Sequence, residues 1–334
     1  METNAIVSVV IPTYNRKNML KEAIESVLTQ NYQHIELIIS DNASDDGTDK
    51  LVQQYLNDAR VRYIRRQENI GPEKNGLNAY KTATGKYFMF LCDDDYLISP
   101  TFFSHAVSIM EKNPEIVLVR GLNQLEYIQE NKIVIEGVTT KRLIKGIDFF
   151  LNYETEGFEH ITGFFALSRK SIIDKSKCLE YQQPGHDRWM WRTLPLFGDV
   201  YFLSEVIGSY RIHSVNCDSA SINFGSQFEH LPNTVRSIFN LALKKFPDKK
   251  EEILSRNPEH EIMAVFSAHI DALQKNYNKN HIVSLLENSI IKTTEPQIYT
   301  KMIELHYPKN TIYKRLKKMI NKIFGLFNLK VVKK

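Results

Sequence analysis

Cysteine is scarce in this chain of 334 residues: Cys92, Cys178 and Cys217 are scattered and form no CxxC pair. The sequence therefore predicts a reducing compartment and no structural zinc site. Long apolar runs are also missing, since no stretch approaches the roughly 18 uncharged apolar residues of a membrane-spanning helix. Residues 1–3 have neither the basic charge nor the apolar run that begins a secretory signal, so we expect a cytoplasmic protein.

Glycine and proline are also few, at 14 and 11 residues, which excludes a collagen-like or low-complexity chain. Hydrophobic residues make up 43% of the chain and charged residues 25%, which is the balance of a globular protein. A chain of this length can bury a sizeable core, and it suggests one large domain or one domain with an appendage.

Positive charge is concentrated near the C-terminus. Nine of the 43 basic residues lie from Lys309 onward and no acidic residue follows Glu304, whereas the rest of the chain carries 34 basic and 39 acidic residues. Apolar residues recur there at helical spacing, namely Ile312, Leu316, Met319, Ile320, Ile323, Phe324 and Phe327. The pattern predicts a basic amphipathic helix over 306–334 that binds an anionic membrane surface.

A different role for this basic helix remains open. An amphipathic helix also packs on the body of its own protein or on a partner helix. A nucleic-acid partner is not expected, because aromatic side chains are not interleaved with the basic ones as they are in a base-stacking groove.

Strands and helices alternate in the first 100 residues. Short apolar runs rich in β-branched and aromatic residues predict strands at 6–11, 36–40, 61–64 and 87–91, and helical patterns lie between them. We expect Pro12 to end the first of these strands. The alternation predicts an α/β fold with a doubly wound, mostly parallel sheet flanked by helices.

Polar clusters fall where three of these strands end. Residues 13–15 follow the first strand, Asp41 follows the second, and Asp93–Asp95 follow the fourth. Ligands of doubly wound sheets bind beyond the carboxyl ends of the strands. Three consecutive carboxylates are unfavourable unless a cation lies among them, and Mg²⁺ or Mn²⁺ commonly bridges carboxylates and substrate phosphates. The sequence therefore indicates a ligand site, with a solvated acidic turn or a helix cap as the alternative for the three aspartates.

Five segments of the first 100 residues resemble family-2 glycosyltransferases. They are 7–16 (VSVVIPTYNR), 26–30 (SVLTQ), 36–48 (ELIISDNASDDGT), 69–76 (NIGPEKNG) and 83–95 (ATGKYFMFLCDDD). The resemblance implies the GT-A fold, in which one α/β domain binds a nucleotide sugar and carries a metal-binding DxD-type motif.

The resemblance and the helical patterns together suggest a chain in three parts. The resemblance implies a nucleotide-sugar-binding and catalytic domain over 1–220. Helical patterns from about 225 onward predict a helical C-terminal extension, assigned to 221–305. The basic amphipathic helix follows at 306–334.

The resemblance also implies which residues bind the nucleotide sugar. The ring of Tyr14 is expected to stack on uracil, because a flat base needs a flat apolar partner. Asp41 is expected to accept a hydrogen bond from uracil, and Lys74 stands where the family more often has arginine. The whole implied set is Pro12, Thr13, Tyr14, Asn15, Asp41, Lys74, Asp93, Arg211 and His213.

Other interpretations of these residues stay open. Tyr14 and Asp41 also suit an ordinary helix-entry loop and a turn. Arg211 and His213 match a segment of the family that neutralises the leaving diphosphate, but an Arg-x-His pair is also common on protein surfaces.

The acidic run matches the family's metal motif with one departure. By this resemblance, Asp93 is expected to contact the ribose of the nucleotide and Asp94 to bind the metal. Asp95 is expected to assist Asp94 in binding it. Cys92 stands where the family more often has aspartate, which leaves the choice among the three aspartates open. The implied cofactor is Mn²⁺ or Mg²⁺.

A second block of resemblance lies around Asp187, which is implied to be the general base that takes the proton of the acceptor hydroxyl. His186 stands where glutamate is more usual, and the implied acceptor pocket consists of Gly163, His186 and Trp189. As alternatives, Asp187 is a helix N-cap and the segment 162–165 is a plain core strand.

The resulting hypothesis is a metal-dependent inverting glycosyltransferase of the hexosyl- or N-acetylhexosaminyl-transferase class. It would move a sugar from a UDP-sugar to a hydroxyl of a glycan or a lipid-linked cell-envelope acceptor, as a peripheral protein on the inner face of the membrane. One alternative is a nucleotidyltransferase, which needs a glycine-rich basic phosphate loop where this chain has residues 12–15. The other is a non-catalytic sugar-binding protein of the membrane surface, which Asp187 and the acidic run argue against.

Overall fold

The computed structural model describes most of the chain and divides it into two compact units. The first unit consists of residues 1–214 and 238–255, and the second of residues 215–237 and 256–334. Within them, the structure describes residues 5–137, 143–153, 164–180, 186–213, 224–276, 279–287 and 291–306.

In the first unit, the described residues form ten strands of one sheet. The strands are β1 Val7–Thr13, β2 Ile35–Asp41, β3 Val61–Arg65, β4 Tyr87–Phe90, β5 Tyr96–Leu97, β6 Ile116–Tyr127, β7 Lys132–Glu136, β8 Leu143–Ile144, β9 Ala166–Arg169 and β10 Asp199–Ile212. The helices of this unit are α1 Lys17–Leu28, α2 Thr48–Gln53, α3 Pro72–Tyr80, α4 Phe102–Lys112, α5 Gly146–Leu151, α6 Lys170–Ser176, α7 His186–Thr193 and, further along, α9 Lys250–Ser255.

The sheet has a parallel half and a mixed half. Its main order is β3-β2-β1-β4-β9-β6-β10-β5, with β7 paired to β6 and β8 to β10. The first four strands in this order are parallel. Strand β9 is antiparallel to both of its neighbours, β6 and β10 are parallel to each other, and β5 is antiparallel to β10. The four strands predicted from the sequence are β1 to β4, so the α/β prediction is confirmed.

Strand β1 differs from its predicted length, because it continues through Pro12 to Thr13. In register with β2, Pro12 lies opposite Ser40 and Thr13 opposite Asp41. The carbonyl of Val10 accepts a hydrogen bond from the chain just after β4, so the amide two residues later would point to the same side. The pairing of β1 with β4 ends at Val10, so β4 has no acceptor opposite Pro12 and the missing amide hydrogen of proline costs no strand hydrogen bond. The prediction that Pro12 ends the strand was therefore wrong.

Helices cover both faces of the sheet. On one face, Val9 and Ile11 of β1 belong to a buried cluster with side chains of α1 and α4. On the other face, Val10 belongs to a cluster with side chains of α3, α5 and α7. Successive residues of a strand point to opposite faces, so a strand that is covered on both sides is apolar in consecutive positions.

The described part of the second unit is helical, which confirms the helical patterns seen in that part of the sequence. Its helices are α8 Phe224–Lys245, of which the part up to 237 belongs to this unit, α10 Pro258–Asn276, α11 Lys279–Glu287, α12 Ile291–Thr294 and α13 Pro296–His306. Ile262 and Phe266 of α10 are fully buried, as is Met302 of α13. Arg236 of α8 forms ion pairs with Glu259 and Glu295.

The sequence made two predictions about membranes, one on membrane-spanning helices and one on the basic amphipathic helix at 306–334. Among the helices of the described residues, none combines the length and the apolarity that a membrane crossing requires. The predicted basic amphipathic helix begins at 306 and, apart from that first residue, lies outside the described residues. Its binding to an anionic surface therefore stays a prediction.

Gly146, at the start of α5, provides a test of the packing between α5 and the segment before β10. A Cβ at this position would lie 1.8 Å from the carbonyl oxygen of Pro195 and 2.1 Å from that of Gly198, and both are backbone atoms. We expect Gly146→Ala to destabilise the fold by about 3 kcal/mol or more, because the backbone must shift. The measurement is the midpoint of thermal unfolding.

Gly76 of α3 is the matched control. A Cβ there would meet the rings of Phe90 and Pro12 at 3.7 Å, which is an ordinary contact. Gly76→Ala should therefore stabilise the protein, by up to about 1 kcal/mol, because alanine favours the helix over glycine. Equal unfolding midpoints for the two variants would contradict the packing described here.

Candidate active site

Several of the residues predicted to bind the nucleotide sugar and the metal lie together at the carboxyl ends of neighbouring strands. Strands β2, β1 and β4 are parallel neighbours, so their carboxyl ends lie side by side. Thr13 at the end of β1 is in register with Asp41 at the end of β2. The backbone amide of Tyr14 donates to a carboxylate oxygen of Asp93, just after β4, at 3.4 Å.

The loop between β1 and α1 is held by Asn15. This residue has a φ of 53°, in the left-handed region that asparagine tolerates better than most residues. Its amide donates to the hydroxyl of Ser44 at 3.0 Å, and its side-chain oxygen accepts from the amide of Asp45 at 2.9 Å. The preceding Tyr14 is 45% exposed. The loop thus leaves an aromatic ring open to a ligand.

Asp41 is completely buried, and both of its carboxylate oxygens have partners. Oδ1 accepts from the amide of Ser44 at 2.8 Å, and Oδ2 accepts from the hydroxyl of Tyr63 at 2.6 Å. Arg65 Nε lies 3.6 Å from Oδ2. Burial and the hydrogen bond to Asp41 raise the pKa of Tyr63. A nucleobase could donate a hydrogen bond to Asp41 only at the carboxylate lone pairs that Ser44, Tyr63 and Arg65 do not use.

The acidic loop, defined as Cys92–Asp95, buries its three aspartates. Asp93 is 5% exposed, Asp94 8% and Asp95 1%. Burial raises the pKa of Asp93 to about 6; the charge of Arg16 opposes this shift and that of Asp94 adds to it. Burial and the charge of Asp94 also raise the pKa of Asp95 well above its usual value. Protons or a cation therefore stabilise this loop.

Arg16 is the cation that the structure pairs with this loop, and the sequence reasoning did not single it out. Its Nη1 atom donates to Asp93 Oδ1 at 3.0 Å and to Asp94 Oδ2 at 2.8 Å. Burial lowers the pKa of Arg16, but the charges of Asp93 and Asp94 outweigh this and raise it. The available signal was a basic residue directly after the polar end of the first strand.

Arg211 and His213, at the end of β10, also contact the acidic loop. The backbone amide of Arg211 donates to Asp95 Oδ1 at 3.0 Å, and its guanidinium bonds to the backbone oxygen of Asp94 and to Glu22 of α1. His213 Nε2 lies 3.2 Å from Asp94 Oδ2. Arg211 is only 6% exposed, so it holds the loop in place from within the protein.

The donor atoms of the acidic loop fit a divalent cation. One ligand atom each from Cys92, Asp94 and Asp95 lies within 4.8 Å of the other two. Carboxylate oxygens suit Mg²⁺ and Mn²⁺, and the thiol is a softer ligand. Asp93 is outside this group, and Arg16 pairs with both Asp93 and Asp94. The assignment of Asp94 and Asp95 as ligands stays a prediction.

Helix α3 carries Lys74, the remaining residue predicted to bind the nucleotide sugar. Lys74 is exposed on α3, whereas the adjacent Asn75 is buried and donates to the backbone oxygen of Ser40 at 2.7 Å. Gly76 of the same helix faces the ring of Pro12 closely enough that a Cβ would contact it at 3.7 Å. Helix α3 is thus fixed against β1 and β2 with Lys74 on its outer side.

The acceptor-side predictions fall on residues that the structure describes only in part. Helix α7 begins at His186, which places the backbone of Asp187 inside the helix rather than before it. The side chains of both residues, and the whole of Gly163, lie outside the described residues. Trp189 is 2% exposed, and the guanidinium of Arg188 lies 6.0 Å from the centre of its ring. The acceptor assignments stay predictions.

A surface pocket borders the start of α1 and β3. It measures about 690 Å³ and is lined by residues of α1, of α2 and of the loop before α2, among them Lys17 and Asp46, and by Arg65 at the end of β3. Arg65 also borders Asp41, so the pocket reaches one side of the predicted base site. No aspartate of the acidic loop lines it.

Comparison with known proteins assigns the chain to a family. The model of "Glycosyl transferase family 2" matches residues 8–176. A putative teichuronic acid biosynthesis glycosyltransferase of Bacillus subtilis (strain 168) is 38% identical over 213 residues, which cover 62% of this chain and 79% of the relative. An uncharacterized glycosyltransferase of Rickettsia prowazekii (strain Madrid E) is 25% identical over 307 residues, covering 89% of this chain and 90% of the relative.

The fold is also shared with solved structures. The structure of S. aureus TarS 1–349 in complex with UDP superposes with a TM-score of 0.52 at 13% identity, covering 91% of this chain and 92% of that chain. This likeness confirms the GT-A type of fold, with its wound sheet and C-terminal helices. Family model, relatives and fold agree, and the chain belongs to glycosyl transferase family 2 and is a glycosyltransferase.

Proposed function

We propose that this glycosyltransferase moves a hexosyl or N-acetylhexosaminyl unit from a UDP-sugar to a hydroxyl of a cell-envelope glycan or lipid-linked acceptor, with inversion and with a divalent cation. The observation that carries the proposal is the meeting of an exposed aromatic ring, a buried aspartate and the acidic loop at one sheet edge. Tyr14 supplies the ring, Asp41 the aspartate, and the amide of Tyr14 bonds to Asp93 of the loop.

The β1–α1 loop recognises the uracil base of the UDP-sugar in this proposal. The exposed Tyr14 ring offers a flat apolar face for uracil, with Pro12, Thr13 and Asn15 shaping the loop around it. Asp41 accepts from an N–H group of the base through its remaining lone pairs. The complex of TarS with UDP supports a nucleotide-sugar donor, and the choice of uridine rests on the resemblance of residues 12–15 and Asp41 to the family's uracil-binding residues.

The diphosphate lies on the acidic loop. Asp94 and Asp95, with Cys92 beside them, would hold Mn²⁺ or Mg²⁺, while Asp93 accepts a hydrogen bond from the ribose. When bound, the cation neutralises the diphosphate and makes it a better leaving group. His213 adds positive charge when protonated, Lys74 reaches the phosphates from α3, and Arg211 keeps Asp94 and Asp95 in position.

Asp187 acts on the acceptor. Its carboxylate takes the proton of the acceptor hydroxyl while the oxygen forms a bond to the anomeric carbon from the face opposite the diphosphate. The bond between that carbon and the diphosphate breaks, UDP leaves, and the configuration inverts. Gly163, His186 and Trp189 are assigned to the pocket that holds the acceptor, which is an envelope polymer by analogy with the teichuronic acid relative.

The C-terminal segment brings the enzyme to its acceptor in this proposal. Residues 307–334 carry nine basic residues and no acidic ones, which suits an anionic membrane surface at the inner face of the cell membrane. Membership of the family argues against the nucleotidyltransferase and the non-catalytic sugar-binding alternatives.

Replacement of Asp187 tests the general base. We expect Asp187→Asn to slow release of UDP from UDP-sugars by about 10²–10⁴-fold, since Asp187 also activates water in hydrolysis. The affinity for UDP, measured by calorimetry with Mn²⁺, should stay unchanged. Asp148→Asn is the control, because Asp148 is an exposed carboxylate in the first turn of α5. Full hydrolysis by Asp187→Asn would remove the assignment.

Replacement of Asp94 tests the cation site. Wild type should bind UDP more tightly with Mn²⁺ than with a chelator, and Asp94→Asn should lose most of this gain, about 10–100-fold in metal affinity. Asp58→Asn serves as the control, because Asp58 pairs with Arg60 in a turn before β3. The readout is calorimetric titration of UDP in both conditions. A gain retained by Asp94→Asn would reject Asp94 as a ligand.

The raised carboxylate pKa values predict the pH dependence of cation binding. As the pH falls from 7 to 5, Asp93 takes up a proton through its pKa of about 6, and burial and the charge of Asp94 raise the pKa of Asp95 as well. Mn²⁺ affinity should therefore decrease, by at most about tenfold per pH unit for each proton displaced. Asp93→Asn should flatten this dependence. A Mn²⁺ affinity of wild type that is constant between pH 5 and 7 would contradict it.

A further inference from the structure

The protein places a cation of its own against the acidic loop. One nitrogen of Arg16, Nη1, donates to Asp93 Oδ1 at 3.0 Å and to Asp94 Oδ2 at 2.8 Å. The side chains of the two aspartates are 7% and 11% exposed, and that of Arg16 is 30% exposed. The pair is therefore shielded from water on the carboxylate side, where the attraction is strongest.

Asp94 is also one of the residues whose ligand atoms suit a divalent cation. Its Oδ2 atom already contacts Arg16 at 2.8 Å and His213 at 3.2 Å. A cation bound to carboxylate oxygens sits at about 2.0–2.1 Å from them, as Mg²⁺ does. A guanidinium that stayed on Asp94 would then lie close to a doubly charged ion, and like charges at such separation repel strongly.

The other basic groups around the loop are engaged differently. The guanidinium of Arg211 bonds to Glu22 and to the backbone oxygen of Asp94. His213 carries charge only when protonated. Among the ion pairs of the described residues, those of Arg16 place a permanent cation on the carboxylates of Asp93 and Asp94.

We propose that Arg16 is an exchangeable counter-charge of the cation site: it neutralises Asp93 and Asp94 in the metal-free protein and moves off Asp94 when the divalent cation binds. This inference rests on the metal dependence proposed above. Arg16 competes with the metal for Asp94, so it lowers the intrinsic affinity of the loop for cations. In return, it stabilises the loop before the metal and the donor arrive.

The test compares Arg16→Gln with Arg62→Gln as a matched control. Arg62 forms an ion pair with Glu36 near the amino ends of β2 and β3, away from the acidic loop. Both variants lose one positive charge that is paired with carboxylates, two of them for Arg16 and one for Arg62. Mn²⁺ affinity is measured by calorimetry at pH 7.5 without nucleotide. Arg16→Gln should bind Mn²⁺ about tenfold more tightly than wild type, whereas Arg62→Gln should match wild type within about twofold.

The outcomes separate this inference from the proposed function. Wild type that binds no Mn²⁺ would overturn both the metal dependence and the role of Arg16. Wild type that binds Mn²⁺ as tightly as, or more tightly than, Arg16→Gln would overturn the role of Arg16 alone. Tighter binding by both variants would also overturn it, because the gain would then come from net charge.

A measurement on the wild-type protein covers the case in which Arg16→Gln does not fold. The side-chain Nε–H signal of Arg16 is assigned by its absence from the spectrum of Arg16→Lys, which keeps the positive charge. Saturation with Mg²⁺, which is diamagnetic, should shift this signal and speed its exchange with water, because the guanidinium leaves Asp94. A signal that does not change on saturation would overturn the proposal.

Discussion

Burial of adjacent negative charges at the end of β4 is the constraint on which the rest of the site depends. Three carboxylates in sequence, each less than a tenth exposed, are stable only where cations and donors meet them. The protein draws these partners from distant elements: Arg16 from before α1, and the amide of Arg211 and the ring of His213 from β10. The loop thereby fixes the positions of both elements.

The strands of the first hundred residues were predictable because each is marked by a pattern within its own short segment of sequence. Apolar β-branched runs identify β1 to β4, and parallel order brings their polar ends to one edge. Strands β6 and β10 were not predicted, although they are the longest strands that the described residues form. Arg120 lies fully buried within β6, with its guanidinium 4.4 Å from the centre of the Trp191 ring, and such a residue hides the strand pattern.

Within the candidate site, the sequence pattern pointed to several residues that lie together but not to how they pair. The candidates at 13–15, 41 and 93–95 lie together, whereas Arg16 and Tyr63 were missed because their partners are far away in sequence. Asp41 shows the same limit. The pattern marks it as a ligand contact, and in the fold it is also the internal acceptor that joins β2 to Ser44 and Tyr63.

Two charged residues at the start of helix α1 contact charged residues of the site. Arg16 directly precedes the helix and pairs with Asp93 and Asp94, while Glu22 pairs with Arg211. The helix is tied to the sheet through Ser26, whose hydroxyl accepts from the amide of Leu97 at 3.0 Å. A displacement of α1 would change the positive and the negative partner together. The packing of the buried side chains of α1 thus sets where two charged partners of the site lie.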